Sequence, residues 1–357
     1  MKTRQLARMT VVMAVLAVAL LLNSGCGQKE AETSVTAVKK PEVAEVVLFV
    51  GTLSAQNAVD RRQGILDELA GKPIPQPAAT TAPVILPPIT LKPGEKPRIG
   101  FVTNTAAEFW TIARAGFDKA LKEFDAEGEF RIPPTGTPAE QKAILEDLVT
   151  KRVHAIAISP KDPDNQTPLL NQLASRAILI CHDSDAPKSN RVLYIGTNNY
   201  LAGREAGRQI KEVLGTARPI KVVDTRTDET DRARAKSNVQ DVLVGRPKVA
   251  CLVGLWAYNG PLIGSVIRET NVVGKVKAVC FDEEKGALRA IRDGVIHATI
   301  VQKPYEFGYQ SVKVLAALIR GDKSVIPPNR QIDTGLTVVK KDNVDAFEQW
   351  LDGLVKK

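Results

Sequence analysis

Ile99-Gly100-Phe101-Val102, followed by Thr103-Asn104, opens a series of short apolar runs that decides how this chain folds. Further runs lie at 155–158, 178–181, 221–223, 250–253 and 278–281. Each is too short for a helix and apolar throughout, except for Lys221 at the head of the 221–223 run, so each reads as a strand covered on both faces. Stretches of helical spacing separate them. Thr105 with Glu108, and Thr137-Pro138-Ala139-Glu140, have the spacing of capping boxes and predict helix starts. Strands alternating with helices imply right-handed crossovers onto parallel sheets with helices on both faces, an α/β fold. Cys181, Cys251 and Cys280 fall inside the runs, where a free cysteine serves as a small hydrophobe.

Ligands of such sheets bind beyond the carboxyl ends of the strands. That rule selects Asn104, Ser159, Asp183, Asp185, Trp256, Tyr258, Asn259 and Asp282, each just past a predicted strand. Amides, carboxylates and aromatics together suit a sugar: hydroxyls exchange hydrogen bonds with the polar groups, and the C–H faces of the ring lie on aromatic surfaces such as Trp110 and Trp256. Each residue also has a plainer role open to it. Phe109 and Trp110 would serve as core, Asp183 and Asp185 as turn formers, and Asp282 as a helix cap. Their coincidence at one edge of two sheets favours the ligand. No phosphate-loop, dinucleotide, GxSxG or HExxH pattern occurs, so no catalysis and no cofactor is expected. Four cysteines without short spacings and three scattered histidines, His154, His182 and His297, leave no expected metal site.

The chain has 357 residues with 49 Lys and Arg against 40 Asp and Glu, a net charge of +9 without any long block of like charge. A nucleic-acid footprint is therefore not expected. Lys2, Arg4 and Arg8 precede an apolar run at 11–22 that is too short to span a membrane and reads as an export signal. Asn23-Ser24-Gly25-Cys26 resembles a bacterial lipobox, although the usual leucine stands one place early at Leu22. The reading is a signal peptide over 1–25, a lipidated Cys26 and a polar tether over 26–44, giving a periplasmic protein held at the membrane only by its lipid. Residues 45–72 form one strand-helix unit. From 73 to 97, Pro73, Pro75, Pro77, Pro83, Pro87, Pro88, Pro93 and Pro97 forbid regular structure and predict an extended linker over 73–96.

Ile99-Gly100-Phe101-Val102-Thr103-Asn104 with Glu108-Phe109-Trp110, Ala157-Ile158-Ser159-Pro160, and His182-Asp183-Ser184-Asp185-Ala186 together resemble the first half of a periplasmic sugar-binding protein of the ribose-binding type. Tyr194-Ile195-Gly196-Thr197-Asn198-Asn199, Gly254 to Asn259, Phe281-Asp282, and Ala298-Thr299 with Gln302 and Pro304 are similar to its second half. The resemblance implies two doubly wound lobes joined by three hinge strands, here 97–196 plus 303–333 and 197–302 plus 334–350. One sugar would bind in the cleft, and the closed form would dock on an ABC-transporter permease. It implies Asn104, Phe109, Trp110, Ser159 and Asp183 as contacts from the first lobe, Asn199, Trp256, Asn259 and Asp282 from the second, and Gln302 at a hinge crossing. The expected partners are a small sugar and the permease, with the protein itself a monomer. The alternative is a sugar sensor docking on a membrane receptor or kinase. A sugar-responsive regulator would need a DNA-binding helix pair where the signal stands.

One unit is out of place by that resemblance. After the helix beginning at Tyr200, a further strand and helix are expected, yet Gly215-Thr216-Ala217-Arg218-Pro219 leads straight to the run at 221–223. The missing piece resembles 46–71. A 25-residue linker at about 3 Å per residue reaches roughly 75 Å, so the unit is expected to fill the gap, its strand lying between those at 220–223 and 250–253. Relatives often carry an arginine near the start of that helix. Here Val59 stands at that place, flanked by Asn57 and Arg61, either of which would serve.

Overall fold

The computed structural model of the chain describes residues 42–76 and 84–355. The expected signal peptide, the lipidation at Cys26 and most of the tether lie outside the described residues. In chain order the elements are β1 (Ala44–Val50), α1 (Gln56–Leu69), β2 (Arg98–Val102), α2 (Phe109–Glu123), β3 (Glu127–Arg131), α3 (Pro138–Thr150), β4 (Ala155–Ile158) and α4 (Pro163–Ala174). They continue with β5 (Ile178–His182), β6 (Tyr194–Gly196), α5 (Asn199–Leu214), β7 (Ile220–Thr227), α6 (Arg232–Gly245), β8 (Val249–Gly254), α7 (Asn259–Glu269) and β9 (Lys277–Phe281). The last are α8 (Lys285–Arg292), β10 (Ala298–Val301), α9 (Pro304–Ile319), β11 (Gln331–Asp333), β12 (Thr337–Lys340) and α10 (Val344–Val355).

Two six-stranded sheets result. One runs β11-β6-β5-β4-β2-β3, all parallel; the other runs β12-β10-β9-β8-β1-β7, parallel except for β12 against β10. The first sheet and α2, α3, α4 and α9 make one lobe, and the second sheet with α1 and α5–α8 makes the other. Besides the segment 72–97, the chain passes between lobes after β6, after β10 and between β11 and β12. These three passages lie together, with Thr197 Oγ1 donating to Gly335 O at 2.9 Å.

β1 lies inside the second sheet, paired in parallel with β7 on one edge and β8 on the other. Six of its seven residues are buried, whereas β7, the outer strand, alternates between half-buried and exposed. An all-apolar strand gains most where both its faces and both its edges are covered. α1 packs on α5 through glycine: an added Cβ on Gly64 would stand 2.1 Å from Tyr200 O, and one on Gly203 would stand 2.1 Å from Arg61 O. The last turn of α1 is held by Glu68, whose carboxylate accepts from Arg204 Nε at 2.7 Å and from Lys211 Nζ at 2.8 Å.

One local expectation is corrected, and two open points are resolved. Thr105 does not cap a helix: α2 begins after Glu108, which makes no side-chain cap hydrogen bond. The box at Thr137 does form, with Glu140 N donating to Thr137 Oγ1 at 3.2 Å and Thr137 N donating to Glu140 at 3.3 Å. The linker is not free over its second part: Val84, Leu86, Ile89 and Leu91 pack against the core of the first lobe while Ile85 faces solvent. Extended proline-rich chain with alternating apolar residues offers one face to a surface without regular structure. Asp282 does not cap α8, whose cap residue is Glu284.

Candidate functional site

The carboxyl ends of the two sheets face each other across a cavity of about 60 Å³ lined by Asn57, Arg61, Asn104, Phe109, Trp110, Asp183, Trp256, Tyr258, Asp282 and Gln302, with Thr105, Ala107 and Ala257. Asp183 closes it on the first lobe. Its φ of +56° turns the chain out of β5 so that the carboxylate faces the gap. There it accepts from Ser159 Oγ at 2.7 Å and Asn104 Nδ2 at 3.1 Å, and from Asn57 Nδ2 of the other lobe at 3.5 Å. Burial pushes this carboxyl above its ordinary range, against the pull of the Arg61 guanidinium and these hydrogen bonds.

Asp282 is its counterpart on the second lobe, leaving β9 at a φ of +66°. Its Oδ1 accepts from Gln302 Nε2 at 2.9 Å, and Arg61 Nη1 stands 3.8 Å from Oδ2. Burial pushes it up to about 6, with Arg61 and Gln302 opposing. Arg61 links the parts together and is only 1% exposed. Its Nε donates to Asn199 Oδ1 at 2.8 Å, its Nη1 to Leu255 O at 2.6 Å, and its guanidinium lies 4.5 Å above the Phe281 ring. Asn57 and Arg61 are four apart on α1 and share the face turned to the cleft, whereas Val59 is 41% exposed. Both residues flanking Val59 line the cavity.

Aromatic rings form the walls. Phe109 and Trp110 meet edge to face at 4.9 Å, and Trp110 continues onto His182 at 5.5 Å and Phe101 at 6.4 Å. They are core and wall at once. Trp256 faces them from the second lobe, its ring lying over Gly51, where an added Cβ would stand 2.1 Å from the ring. Four buried polar atoms of this lining have no partner: Asn57 Oδ1, Arg61 Nη2, Trp256 Nε1 and Gln302 Oε1. Two donate and two accept. An unpaired buried polar group costs about 1–3 kcal/mol, so the cleft is built to be completed by a ligand that both donates and accepts.

A family model described as periplasmic binding protein domain matches residues 99–223 and 210–323. The chain belongs to the periplasmic binding protein domain family. The two matches overlap at 210–223, and neither includes β1 or α1. Among curated relatives, the ribose import binding protein of Salmonella typhimurium is 25% identical over 241 residues, covering 58% of this chain and 80% of that protein. The ribose import binding protein of Bacillus subtilis is 22% identical over 278 residues, covering 68% and 90%. Among solved structures, an ABC-transporter solute-binding protein of Burkholderia graminis in complex with D-arabinose aligns with a TM-score of 0.64 and 28% identity over 69% of this chain and 96% of its own. The arabinose-binding protein of Geobacillus stearothermophilus aligns with a TM-score of 0.60 and 25% identity over 71% and 99%.

Within this periplasmic binding protein the cavity does not take in every residue expected there. Asp185 faces away: its carboxylate is gripped by Arg191 through Nε and Nη2 and accepts from Ala186 N at 2.8 Å, which makes it the turn former. Asn259 is consumed within its own helix start, its Oδ1 accepting from Trp256 N at 3.0 Å and its Nδ2 donating to Asp228 at 3.3 Å. Ser159 and Asn199 lie behind the lining. Ser159 holds the Asp183 carboxylate, and Asn199 ties Arg61 to Asp183 O, to which its Nδ2 donates at 3.1 Å. Asp228 was not singled out from sequence, yet it is buried and accepts from Tyr258 Oη as well as from Asn259. The signal was present, because Asp228 directly follows β7. The apolar run at 221–223 ends too early to show it, since the outer strand goes on through Asp224-Thr225-Arg226-Thr227.

Proposed function

We propose that this chain binds one simple sugar between its lobes and presents it to the permease of an ABC-type importer, without catalysis of its own. The observation that carries the reading is the set of unpaired donors and acceptors, Asn57 Oδ1, Arg61 Nη2, Trp256 Nε1 and Gln302 Oε1, standing between Trp110 and Trp256. A ring of hydroxyl groups with apolar faces meets each of these needs: hydroxyls satisfy both donors and acceptors, and indole faces take the C–H surface. Ribose import binding proteins among the relatives and a D-arabinose complex among the structural neighbours support the ligand class. In this reading Asn57, Arg61, Asn104, Asp183, Asp282 and Gln302 hydrogen-bond the sugar, and Phe109, Trp110, Trp256 and Tyr258 enclose it. The export signal over 1–25, the lipid on Cys26, the lobe limits given above and a monomeric state belong to the same proposal. Release of a Cys26→Ser protein from the membrane fraction would support the anchor; retention would remove it. Calorimetric titration with pentoses, hexoses and polyols tests the central claim, and failure of every member to bind overturns it.

A further inference from the structure

A second cavity lies behind the hinge. It encloses about 590 Å³, within the range of roughly 300–1,000 Å³ typical of small-molecule sites. Its floor comes from the passage after β10 and the start of α9, and its far wall is α10. Glu283 is part of its lining. This residue is 5% exposed, and neither oxygen of its carboxyl has a hydrogen-bond partner on another residue. A buried carboxyl in that condition is rare, because its desolvation is normally repaid by partners. A further buried polar atom of the lining, Thr334 Oγ1, is also unpartnered.

The surroundings of Glu283 say what would complete it. Burial acts on it most strongly, and the charged groups that weigh on it next are all acidic, Asp282, Glu284 and Glu108; together they hold its carboxyl well above the usual range. Lys285, the nearest cation in sequence, is turned to Glu108 at 3.6 Å. The cavity wall adds Glu306 and Asp333 against Lys303 alone. The same lining carries rings. Tyr305 stands at the start of α9, and Phe347 and Trp350 of α10 pack at 5.6 Å, with Trp350 half exposed at 52%. An unpaired carboxyl and aromatic faces lining one cavity form the surroundings that hold an organic cation.

We propose that this hinge cavity is a second binding site, separate from the sugar cleft, for a small organic ammonium compound: its cationic head pairs with Glu283 and its apolar body lies on Phe347 and Trp350. An ammonium head favours the ionised form of a carboxyl that otherwise holds its proton, which a neutral or anionic molecule of the same shape cannot do. The cavity draws Ile112, Tyr305 and Ile332 from one lobe and Glu283 and Val301 from the other, so an occupant touches both sides of the hinge.

The test is calorimetric titration of the full chain with benzylammonium, benzyl alcohol and benzoate, in the absence of sugar. Saturable binding of benzylammonium is expected, with benzyl alcohol at least about tenfold weaker and benzoate without measurable heat. Glu283→Gln keeps the shape and removes the charge, and is expected to weaken benzylammonium by about tenfold while raising or preserving the melting temperature. Trp350→Ala, at a half-exposed position that leaves the fold intact, is expected to weaken it severalfold. No saturation with benzylammonium, equal affinity for benzyl alcohol, or unchanged affinity in both variants would overturn the proposal.

Discussion

At the scale of single residues, the cleft sorts its acidic side chains by what each carboxylate touches. Asp183 and Asp282 face the gap, while Asp185 is spent on Arg191. Trp110→Ala, Asp183→Ala and Asp282→Ala are therefore expected to weaken the sugar identified by calorimetry by about tenfold or more, since each lost partner costs about 1–3 kcal/mol. Asp185→Ala should leave affinity within about twofold, yet lower stability by about 3 kcal/mol, because it strands a buried guanidinium. The reverse pattern would mean that the cleft is misassigned. A pH effect follows from Asp282. Its carboxyl is raised from 3.8 to about 6 by burial, so the folded state holds its proton more tightly than the unfolded chain does. Stability falls as pH rises through the window between those values, by an amount on the order of 1–3 kcal/mol. Asp282→Asn should flatten that slope in denaturant titrations at pH 4, 5 and 6. A slope unchanged by the substitution would show that the carboxyl does not carry the linkage.

At the scale of elements, what was legible in the sequence followed the strength of the apolar signal. The strands at 99–102, 155–158, 178–181, 250–253 and 278–281 are buried on both faces and stand within a residue of where their runs predicted. β3 was invisible because Glu127-Gly128-Glu129-Phe130-Arg131 is an edge strand whose outer positions face water, and charge there protects an edge instead of marking a strand. β11 and β12, three and four residues long, are defined by their partners more than by their own residues. The hinge passages were legible only through family resemblance. The same limit hid Asp228, whose strand turns polar at the outer edge of its sheet. The unit of β1 and α1 is held by pairing on both edges of β1, by the glycine contact with α5 and by Glu68, none of which depends on the linker. A protease site introduced within 77–83 and then cut should leave the two pieces together on size-exclusion chromatography and still able to bind sugar. A chain starting at Lys96, by contrast, lacks the unit and should be unstable or insoluble, because β7 and β8 would each lose a row of hydrogen bonds. If that shortened chain folds and binds sugar with unchanged affinity and melting temperature, the unit is dispensable.

At the scale of the whole molecule, the size of the cleft and the division of its lining decide how it works. Asn104, Phe109, Trp110 and Asp183 come from one lobe; Asn57, Arg61, Trp256 and Asp282 come from the other. A sugar that bonds to both sets lies between them, and Asn57 already reaches Asp183 across that gap at 3.5 Å. The lobes are therefore expected to open to load. Three neighbouring passages form a narrow waist about which they can turn as rigid bodies, while the fourth, through 72–97, is long enough to follow. Closure is then expected as a population shift driven by a sugar that bonds to both lobes at once, its extent limited by how much more tightly the closed form binds. Small-angle scattering should show the radius of gyration falling when the sugar is added at saturation. Asp183→Ala, which leaves the second lobe's contacts in place but removes the anchor on the first, should need far more sugar for the same compaction. Compaction at the same sugar concentration in both proteins would mean that the ligand closes the molecule without bridging its lobes. An unchanged radius with saturating sugar would mean that binding does not move the lobes at all.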